Sequence, residues 1–296
     1  MNREPLHDIA PDRTEAFRAD GAVHLAGMID ADWIARLRDG VARTVEKPTP
    51  LHTVQTTETD GGFFLSDLCM AQQYEEYRDF VLNGPVGQIA ATVMGSKRIN
   101  FFADTLWVKT SGTSKRTRWH QDQAFFWIDG GQVCVIWWPL DPIPKADSLE
   151  LVRGSHKWGK WFMPELSKQG ADLYKVDPGT NPFERMPDID ANRSDYDILS
   201  WDVEPGDCVV FHGSTVHGAP GSSTGRRAVS TVWLGDDAVY AERPSQGRPY
   251  FAGHDLAPGD SMDSDYFPRV WPRDPAKPLD GAKFRRFTDP GLEIQN

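Results

Sequence analysis

The sequence predicts a mainly β protein with flanking α-helices, its strands wound as a sandwich or barrel of the jelly-roll type. Three observations predict it. Segments 98–109, 132–139, 198–203, 207–213 and 228–235 are short, rich in Val, Ile, Phe and Trp, and bounded by Gly, Pro or Asp. Helical periodicity is confined to about residues 30–95, as expected of outer supports laid on a sheet. No Pro/Ser-rich linker or low-complexity run divides the 296 residues, so one domain spanning 1–296 is the economical organisation.

Asp20-Gly21 reads as a turn leading into a short strand, 22–26. Asp30 then caps a helix whose Trp33, Ile34, Leu37, Val41 and Val45 share one face, while Asp32, Arg36, Arg38 and Asp39 look outward. A second helix begins near Gly84-Pro85, carries Val86, Ile89, Ala90 and Val93 on one side, and ends at Gly95. From Arg98 the period changes to that of strands. Residues from about 157 to 200 hold too many polar, Pro and Gly residues for core strands, and a connection this long is expected to act as a lid.

Composition narrows the partners. A net charge of −11 and a pI near 5.2 work against nucleic-acid binding or a basic membrane-surface role, since both need clustered Lys and Arg. A small-molecule substrate is expected instead. Cys69, Cys134 and Cys208 are too few and too scattered for a disulfide framework or a Cys-based metal site, and read as buried apolar residues. Residues 1–11 lack the apolar run of a secretory signal and no stretch is long enough for a membrane span, so a reducing, cytoplasmic setting is the expectation.

Trp119-His120-Gln121-Asp122 carries the chemistry. Strand residues two apart project from the same face about 6 to 7 Å from each other, so His120 and Asp122 can meet one ion while Gln121 points away. Aromatic flanks, Trp119 on one side and Phe125, Phe126 and Trp127 on the other, would make an unpaired carboxylate costly, and a metal removes that cost. A further His completes the two-His-one-carboxylate set that suits non-haem Fe(II). His212 and His217 both lie at the end of the strand starting near Asp207, and the Gly-rich exit after His217, where backbone can approach a bound molecule, favours His217.

Arg226-Arg227 opens the next predicted strand. A guanidinium is a planar fork suited to a carboxylate, and alternation sends only one of the pair inward. Basic Lys115, Arg116 and Arg118 precede the His-x-Asp motif and could meet an anionic substrate group, although loop cations of this kind are commonly solvated. Phe125, Phe126, Trp127, Trp158, Trp161 and Phe162 could wall an apolar pocket or simply fill the core.

These segments together, Trp119 to Gln123, Trp137-Trp138-Pro139-Leu140-Asp141, Val152 to Lys157, Gly206-Asp207 through His217-Gly218, and Arg226-Arg227-Ala228, resemble the phytanoyl-CoA dioxygenase family of Fe(II)/2-oxoglutarate oxygenases over about residues 15 to 240. The resemblance implies a double-stranded β-helix core, iron held by His120, Asp122 and His217, and 2-oxoglutarate held by Arg226, with Arg227 the fallback. It also offers Gln121 and Trp138 as secondary co-substrate contacts, against alternation in the case of Gln121 and against core packing in the case of Trp138. The turn Gly154-Ser155-His156 is taken as structural. The activity implied is hydroxylation of an unactivated C–H bond of a small, anionic or acyl substrate, with O2 consumed and succinate and CO2 released; Asp122 argues against halogenation, which needs that ligand position free. Two rivals are a cupin-type metal enzyme without 2-oxoglutarate and a non-catalytic binding module on the same fold.

Overall fold

The computed structural model describes residues 1–57, 60–166, 171–172, 179, 181–244, 247–273, 279, 281, 284–290 and 292–295. Two antiparallel sheets form its centre. The larger runs in the spatial order Ala22–Leu25, Cys208–His212, Val133–Pro139, Arg226–Leu234, Ile99–Lys109, Phe64–Leu68 and Thr53–Val54, with Arg269–Trp271 also paired to Ile99–Lys109. The smaller runs Ile198–Leu199, Glu150–Val152, His217–Ala219 and Thr117–His120. Apart from the neighbours Thr53–Val54 and Phe64–Leu68, strands adjacent in these two sheets are distant in sequence, as a jelly roll requires.

Val133–Pro139 shows why the apolar runs lack polar alternation. Val133, Val135 and Trp137 enter the core between the sheets, while Cys134, Ile136 and Trp138 enter a second core under the helices, and all are buried. A strand covered on both faces has no solvent side to mark with polar residues. The helical core is supplied by Trp33, Leu37 and Val41 of Ala31–Glu46 and by Val86, Ile89, Ala90 and Val93 of Val86–Met94. Asp30 caps the first of these, its carboxylate accepting from Trp33 N at 3.0 Å. Gly95 ends the second in the left-handed region at φ 67°.

Several expectations change. Val45 does not join the apolar face and is exposed, because it lies in the last helical turn where no neighbour covers it. Helices Pro11–Asp20, Met70–Gln73 and Glu75–Asn83 were not expected; the first is short and almost uniformly polar, with only Phe17 buried, so it carries no periodic signal. Segment 198–203 is strand only over Ile198–Leu199, with Val203 in an isolated bridge to Ile143. His217 is not at the end of the strand holding His212. The chain turns at Gly213 to Val216, with Thr215 N donating to His212 O, and crosses to the smaller sheet before His217–Ala219 begins. Of the region expected to act as a lid, 167–170, 173–178 and 180 lie outside the described residues; the rest forms short pairings such as Trp161–Phe162 with Phe183–Glu184.

Asp104 sits on the helix-facing side of Ile99–Lys109, fully buried, with one carboxylate oxygen accepting from Ala71 N at 3.0 Å and the other without a partner among the described residues. Burial chiefly, and the nearby Asp67, push its pKa up to about 7. The folded state therefore holds a proton that the unfolded chain releases near pH 4, so the stabilisation present at low pH is lost as pH rises through about 7. Asp104→Asn is expected to gain a few kcal/mol relative to the wild type between pH 5 and pH 8. Thermal melts at the two pH values check this, and an equal shift at both would contradict it.

Candidate metal centre

His120 and His217 are cross-strand partners on adjacent strands of the smaller sheet. This pairing brings two histidines far apart in sequence to a ring separation of 4.2 Å. Asp122 is not a strand residue as expected. The strand ends at His120, Gln121 remains extended (φ −112°, ψ 127°), and Asp122 opens a 3-10 turn through Phe125. One extended residue suffices to preserve the alternation, so Asp122 returns to the face of His120.

Asp122 Oδ1 lies 3.1 Å from His120 Nε2 and Asp122 Oδ2 3.7 Å from His217 Nε2, and one ligand atom from each residue falls within 4.8 Å of the others. His120 Nδ1 donates to Arg118 O at 2.8 Å and His217 Nδ1 to Thr215 O at 2.9 Å. Both Nε2 atoms are thereby turned to the carboxylate, the orientation that an imidazole ligand needs. Burial chiefly, and then His120, push His217 down to about 4. For His120 burial acts downward, yet the hydrogen bond and charge of Asp122 outweigh it and raise the pKa. Burial would raise Asp122, and the two imidazoles hold it below its usual value instead. Two imidazole nitrogens and a carboxylate thus converge as three preset donors where a divalent cation would bind.

The cluster opens into a cavity of about 400 Å³ walled by Trp107, Phe125, Phe126, Trp137 and Leu149 among others. Arg226 also lines it. Arg226 is buried, its Nη2 donates to Pro220 O at 3.3 Å, and its Nη1 has no partner among the described residues. Burial chiefly lowers its pKa to about 10, which leaves it charged at neutral pH. Arg227 faces the other way and pairs with Asp141, at 2.9 Å through Nε and 2.5 Å through Nη2. Alternation decides between the two.

The two secondary candidates are absent from the cavity wall. Gln121 donates to Ser214 O at 2.9 Å and Lys160 O at 3.1 Å and accepts from Phe162 N at 2.9 Å, tying three segments together behind the centre. Trp138 lies in the helical core, edge-on to Phe80, and donates to Thr231 Oγ1 at 3.2 Å; its neighbour Trp137 lines the cavity. His212 Nε2 donates to Gly131 O and its Nδ1 accepts from Ser214 N, so both ring nitrogens are engaged away from Asp122. His156 donates to Arg18 O, and Ser155 Oγ accepts from Val216 N, which makes that turn a brace under the strand of His217.

Arg116 and Arg118 line the cavity but are neutralised there, by Glu150 and by Glu165, each at 2.7 Å; Lys115 pairs with Asp60 at 3.6 Å. Phe125 and Phe126 are wall residues, whereas Trp127 packs on Tyr240 and Tyr250, and Trp158 on Phe162. Sequence reasoning missed Lys109, Trp107, Gln55, Ser66 and Arg248, all cavity-lining. Lys109 and Trp107 share strand parity with each other and could have been found by carrying the alternation to the strand's end. Gln55 lies just past the two-residue strand Thr53–Val54 and Ser66 within Phe64–Leu68, and nothing in their own sequence marks them as cavity residues.

The model of the family described as phytanoyl-CoA dioxygenase (PhyH) matches residues 17–229. The chain belongs to that family. The match spans all three residues of the cluster and Arg226. Dioxygenase aneA of Aspergillus aculeatus is 23% identical over 250 residues, covering 81% of this chain and 76% of its own length. Among solved structures, the non-heme alpha ketoglutarate dependent carbocyclase SnoK from nogalamycin biosynthesis superimposes with a TM-score of 0.66 at 19% identity, over 91% of this chain and all of that one. The epimerase SnoN in complex with Fe3+, alpha ketoglutarate and nogalamycin RO gives 0.63 at 20% identity, over 88% and 97%. At these identities the structural likeness is one of fold, and the fold is the jelly-roll core of 2-oxoglutarate-dependent oxygenases.

Proposed function

We propose that this family member is an Fe(II)/2-oxoglutarate-dependent hydroxylase of a small molecule, with His120, Asp122 and His217 holding the iron and Arg226 the far carboxylate of 2-oxoglutarate. One observation carries the reading: two oriented imidazoles and a carboxylate open into the same cavity as a buried guanidinium with an unpaired nitrogen. Bound there, iron with 2-oxoglutarate and O2 supplies the oxidising chemistry that takes hydrogen from a C–H bond and releases succinate and CO2. The chain's own part is to orient the imidazoles through the Arg118 and Thr215 carbonyls, to present Asp122 as the anionic ligand, to anchor the co-substrate, and to keep bulk water out with Phe125, Phe126, Trp107 and Trp137.

The substrate class follows from what the cavity cations already do. Arg116 and Arg118 are each committed to a carboxylate, so apart from Lys109, Arg226 and Arg248 the wall offers aromatic surface and neutral polar groups such as Gln55, Ser66 and Ser230. A neutral, largely apolar molecule with a few oxygen functions fits this better than an acyl-CoA. Anaerobic addition of Fe(II) and 2-oxoglutarate to the protein is expected to produce a visible metal-to-ligand absorption band, and metal binding without that band would remove 2-oxoglutarate from the reading. A substrate panel followed by succinate release and product mass is expected to favour neutral, largely apolar compounds carrying a few oxygen functions; stronger coupling with acyl-CoA thioesters would overturn the substrate class.

A further inference from the structure

We infer that Lys109 is a second arm of the co-substrate anchor, and that a carboxylate bound between Lys109 and Arg226 is accompanied by uptake of one proton onto the Lys109 amine. The inference rests on the 2-oxoglutarate reading above and adds to it a residue and a proton stoichiometry.

Lys109 closes the strand Ile99–Lys109 and is the cross-strand partner of Arg226, which opens its own strand. Both side chains enter the cavity, at 2% and 5% exposure. Lys109 Nζ donates to Pro220 O at 2.7 Å and to Lys115 O at 2.9 Å, and Arg226 Nη2 donates to the same Pro220 O at 3.3 Å. One carbonyl therefore gathers both nitrogens into one corner. The Phe64 ring covers that corner, its centroid 4.4 Å from Nζ.

Among the described residues no carboxylate forms an ion pair with either cation. The acids nearby are committed: Asp147 Oδ2 accepts from Ser223 N at 2.7 Å and Ser223 Oγ at 2.8 Å, and Glu150 is held by Arg116 and Arg193. Two positive charges on neighbouring strands in a dry corner repel each other without compensation. Burial chiefly, then Arg226 and Arg116, push Lys109 down to about 6, with Asp147 acting the other way. Near neutral pH the amine is accordingly neutral in the empty site. Its two N–H groups match the two carbonyls, and its lone pair is left over.

An arriving carboxylate reverses the balance. It brings one negative charge to the unpaired Nη1 of Arg226, and Lys109 takes a proton from the buffer onto its lone pair, so the new N–H donates to the second carboxylate oxygen. No bond other than N–H is made. Both carboxylates of 2-oxoglutarate are already ionised near neutral pH, so the proton does not come from the ligand.

Calorimetric titration of 2-oxoglutarate into the Mn(II)-loaded full chain, in buffers of different ionisation enthalpy near neutral pH, reads the proton count directly. About one proton taken up per ligand is expected, with affinity falling by close to tenfold per pH unit above neutrality. Lys109→Arg, whose charge does not titrate, is expected to bind without uptake, and Lys109→Met to bind at least about tenfold more weakly, also without uptake. If Lys109→Met does not fold, the wild type and Lys109→Arg decide. Tight binding with no uptake by the wild type would sink the role of Lys109 alone, and so would uptake that persists in Lys109→Arg. Metal loading with no binding of 2-oxoglutarate would instead refute the co-substrate reading itself.

Discussion

Asp122→Ala is expected to lower Fe(II) affinity by more than about a hundredfold, since outer-shell partners of a metal site already cost ten- to a hundredfold and this group is placed to bind the ion itself. Two neutral imidazoles would remain, with no anionic donor to balance a divalent ion. Metal content after equilibrium dialysis reads the effect. The fold offers an internal control, because the Asp122 carboxylate has no described polar contact other than the two histidines and is taken out of water to make them. Burial opposes its charge but the two imidazoles outweigh burial, so the metal-free variant is expected to melt somewhat below the metal-free wild type, through the loss of this local cluster alone. A variant that retains Fe(II) with unchanged affinity would show that the three residues are not the metal site.

Arg226→Ala is expected to separate the co-substrate from the metal. A buried guanidinium binding a carboxylate through charge-assisted hydrogen bonds contributes about 1.5 to 3 kcal/mol, which corresponds to a rise of roughly ten- to 150-fold in the 2-oxoglutarate Kd. Fe(II) affinity should stay within about twofold, because Arg226 contacts the Pro220 carbonyl and none of the three metal-site side chains. Anaerobic spectral titration measures both. Unchanged 2-oxoglutarate affinity would move the anchor elsewhere, and Arg227 could not inherit it while its guanidinium is held by Asp141 on the far face.

The two outcomes bear on how neighbours of this fold diverge in chemistry. A carbocyclase and an epimerase lie among the structures that superimpose on this chain, and their likeness to it is one of fold. The cavity wall here draws on segments outside the central strands, Thr53 and Gln55 before the core and Arg248 and Pro249 after it. Such peripheral segments can vary while strand pairing keeps His120 and His217 of the candidate metal site opposite each other.

Much of the site was legible in the chain because period-two geometry is local. His120 and Asp122 could be assigned to one face, and one of Arg226 and Arg227 to the interior, from the extended backbone alone. The same rule argued against Gln121, whose amide indeed braces the loop behind the cluster. Trp138 was harder. In a strand buried on both sides, Trp137 and Trp138 carry the same composition signal, and only the placement of the helices says which side is cavity and which is support.

What the sequence determined by itself is the alternating faces around the cluster, the Asp30 cap and Gly95 stop of two helices, and the identity of the chemical groups, since each depends on backbone geometry over a few residues. Tertiary structure decided which distant segments meet: that His217 leaves the strand of His212 to pair opposite His120, that Arg116 and Arg118 are neutralised by Glu150 and Glu165, and that Lys109 and Arg226 share the carbonyl of Pro220. These depend on sheet order and on the burial it creates. A charge is expensive or free according to its neighbours across the sheet, and those neighbours are far away along the chain.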